Sequence, residues 1–175
     1  MAQDAFTLYK LIILYMLEQA KIPLTNAQIS DFILKMNYTN YFNIQSAMTE
    51  LEEADFITID TIRNSSHIQI TSEGKAVLGY CIDEISDAIK NDVKEYLKQN
   101  YADIMEDTMV VADYYETDKN EYIARCIVKD GTSNAVEIDL NVASEEEANI
   151  ICSRWKENSQ DIYAYLIQKL LAERR

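Results

Sequence analysis

Hydrophobic positions fall into three regimes along the chain. Residues 5–20 are apolar on nearly every side (Phe6, Leu8, Tyr9, Leu11 to Leu14, Met16, Leu17), the pattern of a helix buried at the centre of its domain. The chain then breaks at Lys21-Ile22-Pro23. A second helix is predicted from Thr25, where Thr25-x-x-Gln28 has the form of a capping box, with Ile29, Phe32, Ile33 and Met36 on its apolar face. A polar turn, Asn37 to Asn40, leads to a third helix through Ala54, with Ile44, Ala47, Met48 and Leu51 inward. The period then switches to alternation. Phe56 to Ile62 and His67 to Ile70 read as the strands of a hairpin around the turn Arg63-Asn64-Ser65-Ser66. Thr71 is an N-cap, and a long helix is predicted from Val77 to about Tyr101 with a stripe of Leu78, Ile82, Ile85, Ile89, Val93 and Leu97.

A third regime begins near residue 106. Alternating runs at 108–116, 121–129 and 135–142 are separated by turn residues, the second link being Asp130-Gly131-Thr132-Ser133-Asn134, and predict an antiparallel meander. Two helices are predicted to close the chain: one capped by Ser144 and carrying Ile150, Ile151 and Trp155, the other spanning about 160–173 with Ile162, Leu166, Ile167 and Leu170. The expected fold is therefore α+β. It divides into residues 1–80, a connecting helix at 81–105, and a β-β-β-α-α domain at 106–175 whose three-stranded antiparallel sheet is packed by two helices.

Composition narrows the function. The chain has 175 residues, 48% of them hydrophobic, which excludes disorder. Three glycines and one proline are too few for a Rossmann fingerprint or a P-loop. Cys81, Cys126 and Cys152 are widely spaced in apolar surroundings and read as reduced thiols. The longest apolar run, Leu11 to Leu17, is far short of the about twenty residues a membrane span needs, and no export signal is evident, so a cytoplasmic protein without membrane partners is expected. His67 is the sole histidine, and neither a metal-ligand set nor a nucleophile–base pair can be assembled. No cofactor and no enzymatic activity are expected. Glu145, Glu146 and Glu147 read as dipole-stabilising acids at a helix start.

The blocks Leu24-Thr25-Asn26-Ala27-Gln28-Ile29, Leu51-Glu52-Glu53-Ala54-Asp55-Phe56-Ile57 and Ile70-Thr71-Ser72-Glu73-Gly74-Lys75 occur in the order helix, helix, hairpin, helix. In that order they resemble the winged helix-turn-helix superfamily, especially the bacterial MarR- and PadR-type transcriptional regulators, over about residues 5–80. The whole-chain arrangement is also similar to a bacterial family defined only as a domain of unknown function, which implies a fold and no activity. The winged-helix resemblance implies a DNA-binding regulator on double-stranded DNA, with the third helix in the major groove and the wing at phosphate or the minor groove. It also implies a homodimer, for which the stripe from Leu78 to Leu97 is the expected seam, the alternative being that the stripe packs on the C-terminal helices. Five tyrosines of the second half (Tyr114, Tyr115, Tyr122, Tyr163, Tyr165) admit either an aromatic pocket for a small-molecule effector or simple packing.

Winding the third helix at about 100° per residue sets Phe42, Ser46, Thr49 and Glu53 opposite its apolar face, flanked by Asn43, Gln45 and Glu50. Asn and Gln can pair with adenine, Ser and Thr with several base edges, and an aromatic ring can meet the thymine methyl. Lys35 at the end of helix two, Thr39 and Asn40 before helix three, and Arg63 and Asn64 in the wing complete the expected DNA-contacting set. His67, at the expected start of the second wing strand, reads as either a phosphate contact or a solvated strand end. Charge is the counterweight. Net charge is −14, and helix three has no Arg or Lys, although arginine to guanine is the commonest specific base contact. Five basic and nine acidic groups lie in residues 1–75, against eleven and twenty-one beyond, so the excess is concentrated in the second half. The alternative is a winged helix that binds protein and never touches DNA.

Overall fold

The computed structural model describes residues 4–131 and 133–173, and the chain divides into two compact units, residues 1–104 and 105–175. The division falls inside a helix at Tyr101–Met109, numbered α6 below. The protein is α+β with two three-stranded antiparallel sheets.

The first unit is organised on α1 (Ala5–Ala20), whose seven consecutive residues Leu11 to Leu17 are all buried. Asp4 caps its start. A two-residue strand β1 (Leu24–Thr25) leads directly into α2 (Asn26–Lys35). The Thr25 side chain accepts the Gln28 amide N–H, while the Gln28 side chain accepts the Thr25 N–H, so the expected capping box is present. α3 (Tyr41–Glu53) buries Ile44, Ala47, Met48 and Leu51. The hairpin strands β2 (Ile57–Ile62) and β3 (Ser65–Ile70) follow, and β1 pairs with β3 to give the order β1-β3-β2. β1 is too short to show as alternation, and its pairing was not predicted. The hairpin turn is also tighter than expected. Only Arg63 and Asn64 lie outside the ladder, so His67 sits mid-strand opposite Asp60 and Thr25 and is buried. This replaces both expectations for His67, a phosphate contact and a solvated strand end.

The connecting helix expected over 81–105 does not exist as one element. α4 (Ser72–Cys81) ends in a single 3-10 turn at Ile82–Glu84, Ile85 is extended, and α5 (Asp87–Gln99) starts afresh. Ser86 breaks the run by capping α5, accepting the Ile89 amide at 3.3 Å. The stripe is core rather than a seam: Leu78, Ile85 and Val93 are fully buried among α1 residues, and Ile82, Ile89 and Leu97 pack against them. Two phenols bind α5 to the second helix region. Tyr96 donates to Asp31 at 2.8 Å and Tyr38 donates to Asp92 at 2.6 Å, with the Phe32 ring between them. Gly74 is required by a close approach: a Cβ there would stand 2.1 Å from the Phe56 carbonyl oxygen.

In the second unit the meander is present as β4 (Val110–Glu116), β5 (Tyr122–Asp130) and β6 (Ser133–Val142), in sheet order β4-β5-β6. Thr108 and Met109, expected in the first strand, belong to α6 instead. Thr132 of the predicted turn lies outside the described residues. The expected pair of closing helices is a single helix, α7 (Glu145–Leu171), of 27 residues. The polar run Lys156-Glu157-Asn158-Ser159 holds no glycine or proline, and Ser159 is buried on the inner face, so the helix passes straight through. Ala124, Ala148 and Cys152 form the small-residue centre where α7 meets the sheet, and the Trp155 indole N–H donates to the Ile127 carbonyl at 3.1 Å.

Candidate nucleic-acid interface

The approach to α3 is set by the end of α2. Asn37 takes the left-handed conformation (φ 57°), and the Tyr38 N–H closes back on the Ile33 carbonyl at 3.1 Å. Asn40 then caps α3 by accepting the Asn43 N–H at 2.9 Å, and the Asn43 amide donates to the Thr39 hydroxyl at 2.8 Å. Thr39, Asn40 and Asn43 are thus brought together, but chiefly as the device that starts the helix. Each would reach a base only with polar capacity left over from that role.

Beyond this first turn the outward face divides. Phe42 is 76% exposed and Tyr41 56% exposed. Ser46 is half-buried and Thr49 is exposed, its hydroxyl donating to the Gln45 carbonyl at 3.0 Å. Gln45 is turned to another use. Its amide exchanges two hydrogen bonds with that of Asn26, at 2.8 and 2.9 Å, and Ser30 donates to the same Asn26 oxygen. This pair clamps α3 to the start of α2, a contact across 19 residues that no local pattern announces. Asn26 is the residue that sequence reasoning missed; its only signal was a polar first helical position with Ser30 one turn on.

The charges are partly settled within the unit. Glu50, the acid that would most directly repel phosphate from α3, is ion-paired with Lys10 of α1. Lys75 pairs with Glu18 at 3.3 Å. Both lysines are therefore engaged by carboxylates of the same unit. Lys35 is exposed in the last turn of α2, where its charge also meets the negative end of the helix dipole.

The hairpin carries its tip well away from α3. Its base is fixed there: the Phe56 N–H donates to the Leu51 carbonyl at 2.9 Å, and the Thr71 hydroxyl donates to the Asp55 carbonyl at 2.6 Å. Six residues per strand at about 3.3 Å each place the tip roughly 20 Å out. Arg63 and Asn64 occupy it with φ of 44° and 66°, the backbone of a primed two-residue turn made without glycine. The ten expected residues therefore form three groups: Lys35, the α3 set, and the two at the hairpin tip.

Elsewhere, the described residues contain no group of His, Cys, Asp or Glu able to hold a metal ion, and no helix among them is long and apolar enough to cross a membrane. The five tyrosines do not converge on a pocket. Tyr114 and Tyr122 meet edge-to-face beside the small core, Tyr115 lies under Arg125, and Tyr163 and Tyr165 are exposed on α7. An apolar groove of about 480 Å³ does lie between α7 and the sheet, and none of the five lines it.

No curated protein and no solved structure matches this chain. A single family model spans nearly all of it, reaching from within α1 into the last turn of α7 and so taking in both compact units. That model is the domain of unknown function DUF4364, matched over residues 9–170, and the chain belongs to that family.

Proposed function

We propose that this chain is a cytoplasmic, sequence-specific DNA-binding transcriptional regulator. Its first unit acts as a winged helix, and its second unit serves dimerisation or ligand sensing. The observation that carries the reading is the outward face of α3, where Phe42, Ser46 and Thr49 stand opposite a fully buried apolar face. Phe42 is exposed next to Tyr41, so the start of α3 presents two adjacent aromatic rings and not a single scattered apolar residue. The element order and the β1-β3-β2 sheet support the same reading, because a hairpin anchored at the end of α3 is where a wing would be. Neutralisation of Glu50 by Lys10 removes one objection to phosphate nearby. A protein-binding adaptor remains the second reading, favoured by the absence of any cation on α3 in a chain of charge −14.

Selection of bound genomic fragments at low salt tests this directly. A specific site should emerge, with a shallow salt dependence of about −4 if Lys35 and Arg63 of a dimer neutralise four phosphates. Phe42→Ala should weaken the selected site by about 1–3 kcal/mol while leaving stability within about 0.5 kcal/mol. Recovery of no site at any salt, with a protein partner lost on the same substitution, would establish the adaptor instead.

A further inference from the structure

The inner face of α7 outruns the sheet it packs on. Through the first half of the helix that face is Ala148, Cys152, Trp155 and Ser159, all buried. The same three- and four-residue spacing continues as Ile162, Leu166 and Leu170, with Tyr163, Ile167 and Leu171 beside them, but of these only Leu166 is half-buried and the rest are exposed. Leu170 is 78% exposed and Leu171 75% exposed. Beyond Leu166, which lines the groove, the helix runs on for about 8 Å to Leu171. The sheet has the matching deficit. α7 lies chiefly over β4 and β5, leaving the inward face of β6 open as the wall of the groove. Ile138 and Leu140 from β6 line it, with Arg154, Trp155, Ile162 and Leu166 from α7.

Ile162 and Leu166 already form one wall of the groove, and the last turn of the same helix cannot close it. α7 has neither glycine nor proline, so the turn that carries Leu170 and Leu171 cannot fold back over the groove. A second copy can, and a two-fold axis would satisfy both tails and both grooves at once. We infer that the occupant of the groove is the α7 tail of a second copy, in an isologous dimer with antiparallel α7 helices. Three observations favour this partner. Tail and groove together expose Leu140, Ile162, Ile167, Leu170 and Leu171, large apolar residues of the kind that fill the centre of a homodimer interface. The tail from Gln160 to Leu171 carries only Asp161 and Lys169 as charges, so copies of a strongly acidic chain can meet there without like-charge repulsion. Arg154 stands at the groove, where an antiparallel tail would bring the negative end of its helix dipole. The inference does not rest on DNA binding and assigns the contact to a different element from the Leu78–Leu97 stripe.

Sedimentation equilibrium of the full chain at micromolar concentration tests it. The wild type should weigh twice 20.2 kDa, and on dilution the emission of Trp155, the sole tryptophan, should shift as the groove empties. Leu170→Glu with Leu171→Glu should weaken association by roughly 100-fold or more at unchanged helicity, since both positions are exposed at a helix end. Leu140→Glu in the groove should do the same. Leu140→Cys with Leu170→Cys should yield a covalent dimer on oxidation. A monomeric wild type, as a small ligand or peptide occupant would require, overturns the proposal. So does a dimer that survives both the tail and the groove substitutions.

Discussion

The two units solve the problem of burying apolar surface in different ways. The first surrounds one helix: seven successive residues of α1 are buried, and large side chains from every other element of the unit close on them. Phe32, Ile12, Ile13, Met16 and Ile44 are all completely enclosed. The second lays one helix on one sheet, and its contact centre is two alanines and a cysteine. Small residues let α7 approach the sheet closely, but they bury little area, and the larger apolar groups, Leu140, Ile150, Ile162, Ile167 and Leu170, are left facing solvent. Burial contributes roughly 25 cal/mol per Å², so the first unit carries most of the chain's intrinsic stability and the second gains most from a partner.

The sharpest way to break this comparison is Ile85→Glu. Ile85 is enclosed in the first core, so a carboxylate there should cost on the order of 4 kcal/mol or more and unfold that unit. Far-UV circular dichroism should collapse while Trp155 emission, which reports the second unit, is retained. A folded monomer would instead restore the Leu78–Leu97 stripe as an interface. Loss of the Trp155 signal in parallel would mean that the second unit cannot stand without the first.

The next test sets cavity against crowding. Phe32→Ala should cost about 3–5 kcal/mol, because the ring fills the space between Tyr38 and Tyr96 and those phenols are held by Asp92 and Asp31. In the second unit the damaging change runs the other way. Ala148→Leu should cost about 1–3 kcal/mol by lifting α7 off Ala124, whereas Ala148→Gly should cost about 1 kcal/mol through helix propensity. Urea titrations followed separately by circular dichroism and by Trp155 would read the two units apart.

The smallest effect lies on the sheet surface. Arg125 makes a two-pronged contact with Asp139, both bonds 2.9 Å, and this hydrogen bonding holds the Asp139 carboxyl below the usual range. A carboxyl depressed in the folded state contributes stability above its unfolded value of about 4 and loses it as pH falls through the folded value. Asp139→Asn should therefore lower the melting temperature slightly at pH 7 and converge on the wild type as pH falls below about 4. Because both groups face solvent, the change should be small, and high salt should reduce it further.

How much of this was legible depended on the range of the interactions involved. α1, the three alternating strands and the capping box at Thr25 are written in neighbouring residues and could be read directly. The break between α4 and α5 was masked because the stripe Leu78, Ile82, Ile85, Ile89 keeps helical spacing across it. Only Ser86-Asp87, an N-cap followed by an acid, marked the restart. α7 misled in the opposite sense: a polar run looked like a boundary, but Ser159 is small enough to lie beneath the helix. At the candidate interface the faces of α3 followed from its winding. The employment of Gln45 by Asn26 and of Glu50 by Lys10 did not, because those contacts span 19 and 40 residues and only the tertiary packing creates them.

Thr25 links events on different timescales. As a strand residue it pairs with His67, and as a cap it holds the Gln28 amide while Gln28 holds its own N–H. Helix ends ordinarily fray within nanoseconds to microseconds, independently of the sheets nearby. Here the first turn of α2 cannot loosen without releasing β1 from β3, so its end is governed by the slower, cooperative opening of the sheet. The Thr25 and Gln28 amides should exchange their hydrogens as one event, protected as core strands are, and the orientation of α2 and of the α3 clamped to it inherits that persistence.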